Sequence, residues 1–348
     1  MDPIKIIEAA LVSTNILDDQ TARNFHCTPK SGRKKNQAQY SMGGFCVVFP
    51  MISNSGNEKR AYRIWYIDNL NHQMLKTARL VAGEIKKTKL PYFVGYEFIE
   101  EAISVEGKRI PGVKMDWIEG EKLDDYIRSH ANPSQIRSLA GKFRCMCKDF
   151  LKAGISHGDL SNSNILVTPS GDIRLVDYDS MYFPAMKGKG YMQTTFGQPA
   201  FQHPKRRTSG TLLASSKDDN FSQLVIYLSL LAMAADSSLI HGISEEELIF
   251  NNIDLQSRKT FRESKAYKRF SDINDNEIQR CLYAIENALD GPLESIPSLV
   301  DVLNLSKEAE RAKPSTTNFK NTTFCPICGT MYYLSSSCYC YHCGHKRK

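Results

Sequence analysis

The chain has 348 residues, 41% of them apolar and 10% aromatic, with a formal net charge of +7. That much apolar material can bury a core, which excludes wholesale disorder, and the length suits one large domain with an appendage or two ordinary domains. The charge excess is mild: the basic clusters at 30–35, 205–207 and 346–348 suit a polyanion such as a nucleotide phosphate, or are solvated surface.

Met1-Asp2-Pro3 opens no basic-then-apolar leader pattern. The longest apolar run, 224–235, is broken by Tyr227 and Ser229 and is too short to span a bilayer, so a soluble, cytoplasmic protein is expected. Residues 1–37 read as an extension without assignment, a weakly helical start followed by a polar, basic stretch. Residues 45–50, 60–67 and 102–105 read as strands separated by turns such as Ser53-Asn54-Ser55-Gly56-Asn57, with one longer helix among them. From 121 to 305 the pattern is mostly helical. Asn132-Pro133 predicts a helix start and Gly154 its end, while 165–167 and 173–176 read as short strands around Gly171. A strand-rich part followed by a helical part implies an α+β domain of two lobes over 38–305. A polar linker, 306–321, leads to a cysteine-rich module at 322–348.

One stretch carries the chemistry: His157-Gly158-Asp159-Leu160-Ser161-Asn162-Ser163-Asn164-Ile165-Leu166-Val167. An Asp followed five residues later by Asn, running into an apolar strand, resembles the catalytic loop of protein kinases. In that loop an Asp accepts or orients the proton of the attacking hydroxyl and an Asn oxygen helps to hold Mg²⁺. Thirteen residues past Asn164, Asp177-Tyr178-Asp179 delivers an Asp to the place of the second Mg²⁺ ligand. Ser41-Met42-Gly43-Gly44-Phe45-Cys46-Val47-Val48 resembles a glycine-rich loop, in which backbone amides approach phosphates, although Ser41 and Cys46 replace two of the three motif glycines. Lys114 to Gly120 resembles the strand and hinge that hold adenine, with Met115 as gatekeeper and Asp116 and Ile118 beside the base. Gly197 to Pro204 resembles the end of an activation segment, and Asp218-Asp219-Asn220-Phe221-Ser222 the entry to a buried helix that anchors the catalytic loop. The resemblance is to a bacterial branch of Ser/Thr-kinase-like proteins. It implies a bilobal fold, ATP and Mg²⁺ as ligands, Asp159, Asn164 and Asp177 as catalytic residues, and Gly43, Gly44, Val48, Arg63, Met115, Asp116 and Ile118 around the nucleotide.

The pattern departs at the phosphate clamp. Arg63 stands where the family has an ATP-orienting Lys, and a planar fork places its donors differently from an ammonium. That residue's usual Glu partner falls near Ala82, and the closest acid, Glu84, would face away on a helix. Gly158 replaces the Arg that docks a phosphorylated activation segment, so that switch is expected to be absent. Ser161 replaces a phosphate-contacting Lys, Asp179 a Gly, and Lys205 the acid that closes the activation segment. A Ser/Thr protein kinase is the first expectation. A nucleotide-binding pseudokinase and a small-molecule phosphotransferase of the aminoglycoside-kinase type stay open beside it.

Five of the ten cysteines fall in the last 24 residues, which argues for a local metal site rather than a disulfide framework. Cys325-Pro326-Ile327-Cys328-Gly329 and Cys340-Tyr341-His342-Cys343-Gly344 resemble the two knuckles of a zinc ribbon, with four thiolates at about 2.3 Å from a structural Zn²⁺. Cys338, His342 and His345 are spare ligands. The tyrosines of this module with 346–348 suit a protein or nucleic-acid partner, or form its own small core.

Overall fold

The computed structural model describes residues 2–31, 36–66, 72–130, 132–210 and 212–304, within one compact unit, Met1–Leu303. The linker and the four knuckle cysteines lie outside the described residues. Helices α1 (Pro3–Ala9) and α2 (Asp19–Asn24) precede strands β1 (Phe25–Cys27), β2 (Ser41–Met42), β3 (Cys46–Ser53) and β4 (Lys59–Trp65). Helix α3 (His72–Lys87) then leads to β5 (Tyr96–Val105) and β6 (Lys108–Asp116). The strands form one antiparallel sheet in the order β1-β3-β4-β6-β5, with β2 also pairing β3.

Period-two alternation sorts the side chains of this sheet. Val47, Phe49 and Met51 of β3, with Tyr62 and Ile64 of β4, face one way and pack with Ile6, Ile7, Ala10 and Ile16. The opposite face, with Cys46, Trp65 and Val113, joins the main core beneath α3, whose Ala78, Val81 and Ile85 recur at helical spacing. The N-terminal stretch that the sequence left unassigned thus covers the outer face of the sheet. Asp18 also ion-pairs the buried Lys114 from that side at 3.3 Å. The strand expected at 102–105 is the end of the longer β5, whose pairing with β6 shifts register between Ile99 and Ile103.

The helical part begins with β7 (Glu121–Lys122) and α4 (Leu123–Ser129), then α5 (Pro133–Ala153). Asn132 caps α5 by accepting from Ser134 N, and Gly154 ends it at φ 66°, as the sequence signals predict. Strands β8 (Ile165–Val167) and β9 (Ile173–Leu175) form a hairpin alongside β7. Helix α6 (Pro204–Thr208) precedes α7 (Asn220–Ala235), buried on every side from Asn220 to Met233, and α8 (Arg258–Glu263), α9 (Lys265–Phe270) and α10 (Asn276–Asp290) follow. The mixed architecture is consistent with a kinase-like α+β fold. No helix among the described residues is long and apolar enough to cross a membrane.

Candidate active site

The loop from His157 to Asn164 joins α5 to β8 and is held by the first turn of α7. Asp219, 1% exposed, accepts from the backbone N–H groups of His157 and, at 2.8 Å, Gly158. His157 Nε2 donates to the Val176 carbonyl at 2.9 Å, which ties the loop to the strand that delivers Asp177. Gly158 must be glycine: it sits at φ 78°, and a Cβ there would lie 2.1 Å from the Ser180 carbonyl oxygen. Asn164 Nδ2 donates to the Asp159 carbonyl at 2.8 Å, and its own carbonyl accepts from Val176 N at 3.1 Å. Asp159, Asn164 and Asp177 are thereby drawn to one end of the β8–β9 hairpin. Asp159 Oδ1 is buried with no hydrogen-bond partner among the described residues. Burial raises the carboxyl above its ordinary value; His157 and Arg206 oppose the rise and Asp177 adds to it.

Asp177 takes φ 64° and ψ 76°, a left-handed conformation that costs a non-glycine residue free energy and recurs at functional sites. Next to it, the Tyr178 hydroxyl donates to the Leu175 carbonyl and accepts from Val94 N at 2.8 Å, so this ring is fixed in the core by one bond given and one received. Asp179 points at Arg63. Arg63 lies on the inner face of the sheet with its side chain 5% exposed, and it binds Asp179 through both terminal nitrogens and Asp177 Oδ1 at 3.2 Å. Its Nε contacts Cys46 Sγ at 2.9 Å. Four of the five guanidinium N–H groups are engaged in this way. Burial works against the charge, but Asp179 and Asp177 outweigh it and hold the guanidinium pKa well above its ordinary value. No helical Glu among the described residues pairs with it: Ala82 packs against the core and Glu84 pairs with Lys87 at 2.7 Å. The counter-charge for Arg63 therefore comes from the aspartate motif itself. Sequence reasoning treated the two departures separately; that they are complementary in sign was the available signal.

The glycine turn between β2 and β3 is tight, with Gly43 N donating to the Cys46 carbonyl at 2.9 Å. A Cβ at Gly43 would meet only ordinary contacts, and one at Gly44 nothing within 4 Å. Val48, Met115 and Ile118 are half-buried along one edge of the main core. Asp116 N donates to the Gly95 carbonyl at 3.1 Å, so that amide is already engaged. Ser161, fully buried, hydrogen-bonds Ser163.

The segment ending at α6 closes over Asp159. Gly197, at φ 72°, has Asp159 Oδ1 and the Gln202 side chain each 2.8 Å from the place of a Cβ. The basic cluster at 205–207 divides: Lys205 and Arg207 are exposed, and Arg206 is buried. Lys205 Nζ donates to the Asp290 and Gly291 carbonyls at 3.4 and 2.8 Å, and Arg206 is 3% exposed. Among the described residues no group of three or more His, Cys, Asp or Glu is arranged to hold a metal.

Comparison with known proteins finds similarity over part of the chain. The family model described as the ABC1 atypical kinase-like domain matches residues 113–203, from β6 to the segment's end. That span contains Asp159, Asn164 and Asp177, and leaves out the glycine turn and Arg63. A curated relative, "Protein ACTIVITY OF BC1 COMPLEX KINASE 3, chloroplastic" of Arabidopsis thaliana, is 28% identical over 68 residues, 19% of this chain. The aligned part spans 10% of that protein's length. Over residues 113–203 the chain is thus similar to an atypical kinase-like domain.

Proposed function

We propose that the chain binds ATP with Mg²⁺ between the sheet and the helices and transfers the γ-phosphate to a Ser or Thr hydroxyl of a protein. Asp159 carries the reading. A buried carboxylate oxygen without a donor is costly, and an incoming hydroxyl supplies the missing hydrogen bond. Its raised pKa improves it as a proton acceptor. The available donors suit Mg²⁺, which favours few hard oxygens completed by phosphates and water. Asp177 offers a half-exposed carboxylate, and Asn164, whose Nδ2 is engaged by Asp159, offers Oδ1. When bound, the ion neutralises charge on the transferring phosphoryl group. Val48, Met115 and Ile118 are apolar walls for a base, with the Asp116 and Ile118 backbone as its polar contacts. Gly43 and Gly44, which the fold itself does not require to be glycine, let amides approach the phosphates. Arg63 has one N–H left for them, so its main role is to hold Asp177 and Asp179.

A pseudokinase that binds nucleotide and signals by conformation is the second reading. It is favoured by one observation, the contact of Arg63 with the proposed metal ligand Asp177. Incubation with labelled ATP, Mg²⁺ and protein substrates, beside an Asp159→Ala control, separates the two. If both proteins bind ATP and transfer phosphate equally poorly, the kinase reading fails. We also propose that Cys325, Cys328, Cys340 and Cys343 hold a structural Zn²⁺ and present a partner-binding module. Metal analysis of purified protein finding no near-stoichiometric zinc would remove that site.

A further inference from the structure

In kinases switched by phosphorylation, an Arg of the catalytic loop waits for a phosphate that orders the activation segment. Here that position is Gly158, and the Ser180 carbonyl occupies the space any side chain would need. A cation reaches the same peptide from the opposite direction. Arg206, on the short helix that ends the segment, donates to the Gly158 carbonyl through Nη2. Its Nε donates to Gln193 Oε1 at 2.8 Å, its Nη1 to Gln202 Oε1 at 2.5 Å, and its Nη2 also to the Thr195 carbonyl at 3.5 Å. One planar fork thus binds the catalytic loop and three points of the segment, Gln193, Thr195 and Gln202. Gly158 is held at both its backbone groups, its N–H by Asp219 and its C=O by Arg206. At the other end of the segment, Thr194 Oγ1 donates to the Asp179 carbonyl at 3.0 Å and pairs with Ser180 Oγ.

Stability alone does not account for this arrangement. All the hydrogen-bond acceptors of Arg206 among the described residues are neutral; the carboxylates of Asp159, Asp218 and Asp219 act on its charge without bonding it, and an apolar residue of similar volume would fill the space without the cost of burying an ion. What only the fork provides is simultaneous, directional grip on four acceptors from two segments.

We propose that Arg206 is a positioning residue, a built-in substitute for the activating phosphate, which holds residues 193–202 against the catalytic loop so that the site is set without phosphorylation. This rests on the reading of Asp159 as the acting group, but its test does not require phosphate transfer. Backbone hydrogen exchange is measured on the full chain for wild type, Arg206→Met and Arg206→Lys, with and without phosphatase treatment. Wild type is expected to show protection over 193–202 that phosphatase leaves unchanged. Arg206→Met raises exchange there and at 157–164 by about tenfold or more, the equivalent of one net hydrogen bond lost, while α5 and α7 exchange as in wild type. Arg206→Lys, a point charge that cannot span four acceptors, falls between them and remains the deciding variant if Arg206→Met does not fold. Where transfer is measurable, Arg206→Met lowers kcat with the KM for ATP unchanged. Unchanged exchange in the variants, uniform loosening of all helices, or a phosphatase effect on wild type would overturn the proposal. Absence of transfer in wild type would count against the kinase reading alone.

Discussion

Replacing Arg63 with Met removes the only cation that, among the described residues, ion-pairs the Asp179 carboxylate, whose side chain is 18% exposed. Breaking a buried pair by deleting one partner costs about 3–5 kcal/mol. The contact with Asp177 adds little, roughly 0.5 kcal/mol, because that side chain is 49% exposed and screened. Arg63→Met should therefore lose about 3–4 kcal/mol. Asp179→Asn, which leaves Arg63 with Asp177 as its remaining carboxylate, should lose about 2 kcal/mol. The double variant leaves neither charge stranded and should lie within about 1–2 kcal/mol of wild type, a coupling of about 3 kcal/mol or more. Urea denaturation of the three variants at pH 7, without nucleotide or Mg²⁺, measures it. Coupling below about 0.5 kcal/mol would refute the pairing and, with it, the account of why Asp stands in place of Gly at 179.

Three further outcomes are expected. Tyr178→Phe strands Val94 N and frees the Leu175 carbonyl, which should cost about 1–3 kcal/mol in the same denaturation assay; a neutral change would mean that the hydroxyl bonds are unimportant. Burial lowers the His203 pKa, only partly offset by the ring's bond to the Ala288 carbonyl. The unfolded ring protonates near 6.5, so the contribution of His203 is complete above that pH and is lost as pH falls through the lower folded value. Stability compared at pH 7.5 and 5.5 should drop more in wild type than in His203→Gln, and equal drops would contradict this. Deleting residues 1–17 uncovers Val47, Phe49, Met51 and Tyr62, so the truncated protein should bind a hydrophobic dye and aggregate. A truncated chain that stays monodisperse and dye-silent would show that the cover is dispensable.

What was legible in the sequence was local. His157 to Val167 carries loop, candidate site residues and strand in eleven consecutive positions, and the caps of α5 are written beside it in Asn132, Pro133 and Gly154. What was illegible depends on distant pairing. The helix at Pro3–Ala9 gains meaning only against side chains of β3 and β4, and β1 only because Phe25 registers with Ser53. Arg206 looks like part of a charged surface until the fold buries it among backbone carbonyls and glutamines. The counter-charge of Arg63 was missed because the expected acid lay on a helix, whereas the actual one replaced a glycine more than a hundred positions away.

The most direct measurement of the central claim is calorimetric titration of ATP into wild type and Asp177→Asn, each with and without Mg²⁺. The account predicts binding by wild type that is strengthened by Mg²⁺, and loss of that strengthening in Asp177→Asn. No ATP binding by wild type under either condition, or an identical Mg²⁺ effect in both proteins, would contradict it.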